Sequence, residues 1–397
     1  MQRGTAVFHR TNLALFSAGF STFALMYCLQ PLMPLFAHEF HVSAASSSLC
    51  ISLTTGCLAI FLLFAGGLSE AWGRKPMMVA SLYSSSALTL ISAFVPSWSA
   101  FLFCRALAGI VFSGLPSVAM AYLSEEMDSN AIGLAMGLYI GGSAIGGMSG
   151  RLIVGVLTDA VSWRFALAAI GVLGLALAAI FWRSLPPSRH FQPQPLQVRK
   201  LMRLMAEHIA DPGLRLLYLE GFLLMGTFVT LYNYIGFRLV APPYRLSQTA
   251  VGSIFTVYLV GAFSSAWVGN LAGKLGRSQV LWVTILLMLS GLAITMTAPL
   301  AVIIVGIAAF TFGFFGSHSI VSSWVGLRAR HSKAQASSLY LFFYYFGSSI
   351  VGSTGGLFWH DYHWYGVAFF TGALLILAVA ISARLAFVNS LVPTATA

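Results

Sequence analysis

The chain has 397 residues, of which 58% are apolar and only 8% charged, and its formal net charge is +11. Soluble domains carry about 25% charged residues. With 21 basic and 10 acidic side chains and a mean hydropathy of +0.86, there is too little polar surface to cover a globule of this length. A soluble fold is excluded, and lipid is the solvent the composition requires.

A helix needs about 20 apolar residues to cross a bilayer. Apolar runs of that kind are predicted at 12–37, 46–69, 77–95, 98–122, 131–158 and 163–183, and after a polar interval at 214–238, 247–271, 278–297, 299–323, 334–358 and 364–387. The first run follows Arg3 and Arg10 in the manner of a signal peptide. It continues from Leu13 to Ala37, too long for such a segment, and no A-x-A site closes it, so it is read as a retained helix. The runs are continuous, which excludes a transmembrane barrel with its short alternating strands. Tight turns such as Val95-Pro96-Ser97 and Ala298-Pro299 make neighbouring helices antiparallel. The interval 184–213 holds Pro186, Pro187, Pro193 and Pro195, then a basic, amphipathic stretch from Val198 to Ile209. It reads either as a linker with a helix lying on the membrane face or as a plain tether. The expected domains are 1–183, the linker 184–213, and 214–397.

The basic residues orient the chain. With the N-terminus cytoplasmic, that side holds Arg3, Arg10, Arg74, Lys75, the six from Arg183 to Arg215, Lys274, Arg277, Arg328, Arg330, Lys333 and Arg384, sixteen of the 21. Only Arg164, Arg238 and Arg245 fall on the other side. This bias satisfies the positive-inside rule and places both termini in the cytoplasm. The surplus is thus an insertion signal that also matches anionic lipid, and no nucleic-acid partner is expected. Cys28, Cys50, Cys57 and Cys104 lie in apolar runs without C-x-x-C spacing and read as small buried hydrophobes.

The two halves repeat. Gly66-Gly67-Leu68-Ser69-Glu70-Ala71-Trp72-Gly73-Arg74 matches Gly269-Asn270-Leu271-Ala272-Gly273-Lys274-Leu275-Gly276-Arg277, 203 positions later. Gly142 to Gly150 in the fifth run matches Gly347 to Gly355 in the eleventh, 205 positions later. Two parallel six-helix repeats are the arrangement of a large transporter fold with its substrate path between the halves. On these residues the chain resembles the major facilitator superfamily over its whole length. Gly66, Leu68, Glu70, Gly73, Arg74 and Lys75 match the family's loop 2–3 signature, and Arg105-x-x-x-Gly109 matches an element of span four. Stretches such as Tyr122-Leu123-Ser124-Glu125-Glu126 and Ala336 to Phe342 are similar to the drug- and sugar-efflux branch. The chain departs from the family at Glu70, where Asp is usual, at Ala71, and in span five, where Gly146 to Arg151 lacks the antiporter proline. The resemblance implies an all-α integral membrane fold of twelve helices in two pseudo-symmetric bundles. It further implies a proton-driven exporter of small molecules in the bacterial inner membrane, expected to act as a monomer.

The loop signature implies a latch in which Glu70 faces the N-terminal end of span eleven and Arg74 pairs with Glu126 or Asp128. A purely topological role for Arg74 and Lys75 stays open. Charges inside spans cost about 2.5–3.5 kcal/mol each on insertion scales and need a reason. Of the acidic residues only Glu220 lies well inside a span. It is either a proton-coupling group or a packed carboxyl, neutral or paired with Arg215. Arg105 is either a proton-pathway residue, as the resemblance implies, or a helix-to-helix donor. Arg151 either binds an anionic substrate or pairs with Asp159. His318 is a proton relay or a helix contact. Tyr27, Tyr232, Asn233, Tyr234, Tyr340 and Tyr344 are candidates for the substrate path, with packing as the alternative. Gly142, Gly146, Gly150, Gly352 and Gly355 leave bare helix faces where another backbone can approach. His38-x-x-His41 and His360-x-x-His363 are not assigned a metal. No phosphate-binding loop, zinc-protease motif or nucleophile-plus-base grouping is found, so neither ATP-driven transport nor a cofactor is expected. The rival readings are a proton-coupled importer or exchanger of an organic anion or sugar, and a membrane enzyme acting on lipid-linked substrates.

Overall fold

The computed structural model describes residues 1–390 except His190 and Leu196. Those two positions of the linker 184–213, and residues 391–397 of the second half, lie outside the described residues. The described chain is helical. Its elements are α1 (Ala6–Tyr27), α2 (Met33–Glu39), α3 (Ala44–Trp72), α4 (Arg74–Ser92), α5 (Trp98–Phe112), α6 (Pro116–Glu126), α7 (Ser129–Ala160) and α8 (Trp163–Ser184). There follow α9 (Val198–Ala210), α10 (Pro212–Val240), α11 (Gln248–Ile254), α12 (Tyr258–Leu275), α13 (Arg277–Ile294), α14 (Leu300–Arg328) and α15 (Lys333–Ser390).

Among the described residues, ten stretches are long and apolar enough to cross a membrane. One of them, Lys333–Val388, runs for 56 residues and breaks at His363, whose φ of 51° is not helical, so it supplies two lengths. The serine-rich α4 supplies the remaining one of the twelve expected runs. Several of its hydroxyls are satisfied within the helix, Ser86 donating to the Leu82 carbonyl at 2.7 Å, Thr89 to Ser85 at 2.8 Å and Ser92 to Leu88 at 2.7 Å, and Ser81 donates to the Val111 carbonyl of α5 at 2.6 Å. A polar sequence therefore still forms a helix with a buried face, because none of its buried hydroxyls is left unsatisfied among the described residues. Helix starts follow local chemistry: Thr5, Ser97, Ser162 and Ser247 each accept the N–H three residues on.

The chain forms two compact units. One comprises Met1–Val42, Ser46–Gln197 and Leu239–Phe255, the other Ser43–Ala45, Val198–Arg238 and Thr256–Ala397. In the first, α1 lies against α7 and α8, and α4 against α5 and α8. The approach of α1 to α7 is backbone to backbone. A Cβ at Gly142 would stand 2.5 Å from the Phe16 carbonyl oxygen, one at Gly150 would stand 2.7 Å from Ala24, and Gly146 is closed in by Phe20. Glycines four apart share one helix face, and that face meets positions four apart on α1. In the second unit α13 and α14 lie together, α12 against α14, and α13 against α15. There Gly347 meets the Phe222 backbone and Gly355 the side chains of Thr230 and Tyr234. Gly352 contributes its carbonyl, which accepts the Tyr234 hydroxyl at 2.9 Å.

Candidate functional site

The matched loops of the two halves have the same backbone. Gly73, between α3 and α4, has φ 101°, and Gly276, between α12 and α13, has φ 98°. A side chain at these angles is strained, so glycine is what lets the chain reverse into the next helix without a break in either. The reversal delivers Arg74 onto α6. Its Nη2 lies 2.7 Å from Glu125 Oε1 and 3.6 Å from Glu70 Oε1, its Nε donates to Glu125 at 3.3 Å, and its Nη1 donates to the Ser69 hydroxyl at 2.5 Å. The expected partners, Glu126 and Asp128, are not on Arg74. Glu126 accepts the Arg189 N–H at 2.6 Å, and Asp128 pairs with the Met1 ammonium at 3.2 Å. The reason is helical phase: adjacent positions differ by about 100° around the axis, and Glu125 is the one on the loop side. Lys75 donates to the Leu185 carbonyl, tying the start of α4 to the end of α8.

Both intramembrane arginines are tied into the first unit. Arg105 on α5 is 1% exposed, and its Nη2 and Nε donate to the carbonyls of Met26 at 3.1 Å and Cys50 at 3.3 Å. Its bonds are those of a donor joining α1 and α3 to α5. Arg151 on α7 donates from Nε and Nη2 to Gln30 Oε1 at 2.9 and 2.7 Å, and from Nη1 to the Gly147 carbonyl at 2.6 Å. Its guanidinium carbon lies 4.7 Å from the Tyr27 ring centroid and 4.5 Å from that of Phe255, a cation–π sandwich. The expected pairing of Arg151 with Asp159 is therefore replaced. Asp159 instead accepts the N–H groups of Gln248 at 3.1 Å and Thr249 at 2.7 Å, at the N-terminus of α11, where a carboxylate is favoured. Gln30 gives no sequence signal beyond its place in the break between α1 and α2.

The second unit buries a carboxyl instead. Glu220 on α10 is 0% exposed, and neither carboxyl oxygen has a hydrogen-bond partner among the described residues. The pairing with Arg215 does not form. One residue on, a Cβ at Gly221 would stand 2.6 Å from the Tyr340 ring, and the Tyr340 hydroxyl lies within electrostatic reach of Glu220. That hydroxyl is 2.7 Å from His318 Nδ1, and the His318 ring lies between Phe314 and Tyr344, at centroid distances of 6.0 and 4.7 Å. Glu220, His318 and the pair Tyr340 and Tyr344, from three separate stretches of sequence, thus form one cluster across α10, α14 and α15. Next to it Phe228 stacks on Phe314 at 3.7 Å, and Tyr232 shares a 2.8 Å bond with Thr311. Asn233 reaches the Gly352 carbonyl at 3.5 Å, joining α10 to α15. Phe228, Phe314 and Thr311 carry no motif that marks them in the sequence.

At the polar end of the second unit, outside the spans, Asp211 pairs with Arg328, Nε to Oδ1 at 2.6 Å. Burial acts to raise the Asp211 carboxyl, but the Arg328 hydrogen bond and the Leu214 and Gly213 N–H groups outweigh it and hold the carboxyl below its ordinary range.

Long apolar helices, a repeated half and charged groups held inside the spans define a multi-pass membrane transporter. The sequence pattern of the Major Facilitator Superfamily matches residues 15–352, and the chain belongs to that family. It is 50% identical to the inner membrane transport protein YnfM of Escherichia coli (strain K12), over 97% of this chain and 92% of that one. It is 48% identical to the MFS-type transporter YybF of Bacillus subtilis (strain 168), over 97% and 96%. Among solved structures, the nucleoside transporter NupG superposes with a TM-score of 0.75 over 96% of this chain and 99% of that one, at 16% identity. The xylose transporter XylE from E. coli gives 0.73 over 98% of each chain at 15% identity. At such identities the shared property is the fold. The protein is a secondary transporter of small molecules and not an enzyme.

Proposed function

We propose that the protein is a proton-coupled exporter of a small drug-like or sugar-like solute, working by alternating access as a monomer in the bacterial inner membrane with both termini cytoplasmic. The observation that carries this reading is Glu220, a carboxyl buried in a span with no hydrogen-bond partner among the described residues to fix its charge state. An ionisable group in lipid without such a partner is retained for what it does, and a carboxyl can take up and release one proton as its access to water changes. Tyr340 and His318, joined by their 2.7 Å bond, lie beside it and become a route for that proton once a change of state brings the Tyr340 hydroxyl onto the carboxyl. Arg74, shared between Glu125 and Glu70, is the contact that forms in one state and breaks in the other; a bias of about 1–3 kcal/mol is enough for such a switch. Similarity to the efflux branch supports the outward direction, and the bias of basic residues supports the orientation.

The test uses everted membrane vesicles acidified inside by respiration. Export by antiport releases protons from the lumen when solute is added. A solute-driven flow of protons into the lumen, or solute flux with no proton movement, would overturn the reading.

A further inference from the structure

Where α3 ends, α4 begins and α8 ends, the first unit has an open cleft of about 470 Å³ lined by Trp72, Arg74, Lys75, Trp182, Ser188 and Phe191. Arg74 and Lys75 are the charged residues of its lining. Glu125 and Glu70 both lie on Arg74, whereas Lys75 donates to the neutral Leu185 carbonyl and sits close enough to Arg10 to feel its charge. Arg10 in turn donates to the Arg183 carbonyl at 3.1 Å, one residue from Trp182 in the chain, and that acceptor too is neutral. Cations gathered on neutral acceptors create a field that favours an anion.

The lining is also aromatic and open. Trp72 is 69% and Trp182 53% exposed, and the Phe191 ring centroid lies 5.9 Å from the Arg74 guanidinium carbon. Exposed indoles at the ends of two spans sit where a bilayer has its headgroups, the depth that tryptophan favours. A diffusible anion would use the cations and ignore the indoles. A phosphodiester carrying acyl chains uses both, and a cavity of a few hundred Å³ is of the size that holds such a group.

We propose that this cleft binds the headgroup of an anionic phospholipid, with Lys75 facing the phosphate and Trp72 and Trp182 flanking the glycerol and upper acyl chain. Binding there would join the ends of α3, α4 and α8 on the side that carries the Gly73 loop.

The purified full-length chain in a neutral detergent, titrated separately with phosphatidylglycerol, phosphatidylethanolamine and glycerol 3-phosphate, provides the test, with the melting temperature as readout. Phosphatidylglycerol is expected to raise it in a saturable way and the other two to leave it unchanged. Lys75→Gln is expected to weaken the phosphatidylglycerol response about fivefold, the factor for about 1 kcal/mol per basic side chain near an anionic surface. The double variant Trp72→Ala, Trp182→Ala removes only exposed rings, so it keeps the test alive should Lys75→Gln fail to fold, and it should weaken the response as well. An equal rise with phosphatidylethanolamine would show a general lipid effect, and an equal rise with glycerol 3-phosphate a site for a diffusible anion. Either result, or an unchanged phosphatidylglycerol response in the double variant, overturns the proposal.

Discussion

Arg105 and Arg151 in the first unit and Glu220 in the second are all buried, at 1%, 2% and 0% exposure, yet they are held in opposite ways. Arg105 gives its protons to two backbone carbonyls, and Arg151 to Gln30 and Gly147 between two rings. Glu220 has no hydrogen bond at either oxygen among the described residues. A buried ion fixed by several bonds is costly to change, because removing any one partner leaves a desolvated group behind. A buried carboxyl with no such bond has no structural reason to keep its charge. The first unit thus uses Arg105 and Arg151 as joints, and the second holds a carboxyl that no hydrogen bond among the described residues fixes.

The sharpest way to break this contrast is Glu220→Gln, which keeps shape and removes the titration. It should lower proton-coupled flux by about 5- to 150-fold, the range of a coupling free energy of this kind, while insertion and amount stay normal. Normal flux with normal proton movement would place Glu220 among the packing residues. Arg105→Leu should act through stability instead. The carbonyls of Met26 and Cys50 lose their donor, at a cost of about 1–3 kcal/mol for a buried group left unsatisfied, read as a lower melting temperature in detergent. Unchanged stability together with lost transport would move Arg105 from scaffold to proton pathway.

The smallest effect belongs to Asp211, a paired carboxylate of the second unit and the counter-example to Glu220. Its depressed carboxyl contributes stability that is present above the ordinary aspartate value of about 3.9 and is lost as pH falls through its lower folded value. Asp211→Asn should therefore lower thermal stability slightly at neutral pH and flatten its further loss on the acid side of that value, where variant and parent converge. With the Asp211 side chain 37% exposed, solvent screens the pair, and the shift should be small. An undiminished acid dependence in the variant would assign it to other carboxylates.

Much of this architecture was legible before the structure, for reasons that particular residues show. Gly142, Gly146 and Gly150 announce a close approach because four-residue spacing fixes a common helix face whatever the neighbour. Gly73 and Gly276 announce equivalent turns because the repeat places both before an arginine, and both have positive φ. The partners were harder to read. Glu125 and Glu126 are equally good acids in the sequence, and the phase of α6 against α4 chooses between them. Arg151 and Asp159 are two turns apart on one helix, near enough to suggest a pair, yet Gln30 and the start of α11 are nearer in space.

The sequence by itself determined that lipid is the solvent, where the crossings run, that one half repeats the other, and which few charges must be explained. These follow from local quantities: composition, run length and spacing. The tertiary structure decided which of those charges are joints and which is unbonded, and it brought Glu220, Tyr340, His318 and Tyr344 together from three helices. Helical periodicity assigns a residue to a face, but the residue across from that face comes from a distant part of the chain. Only the packing of one helix on another makes that choice.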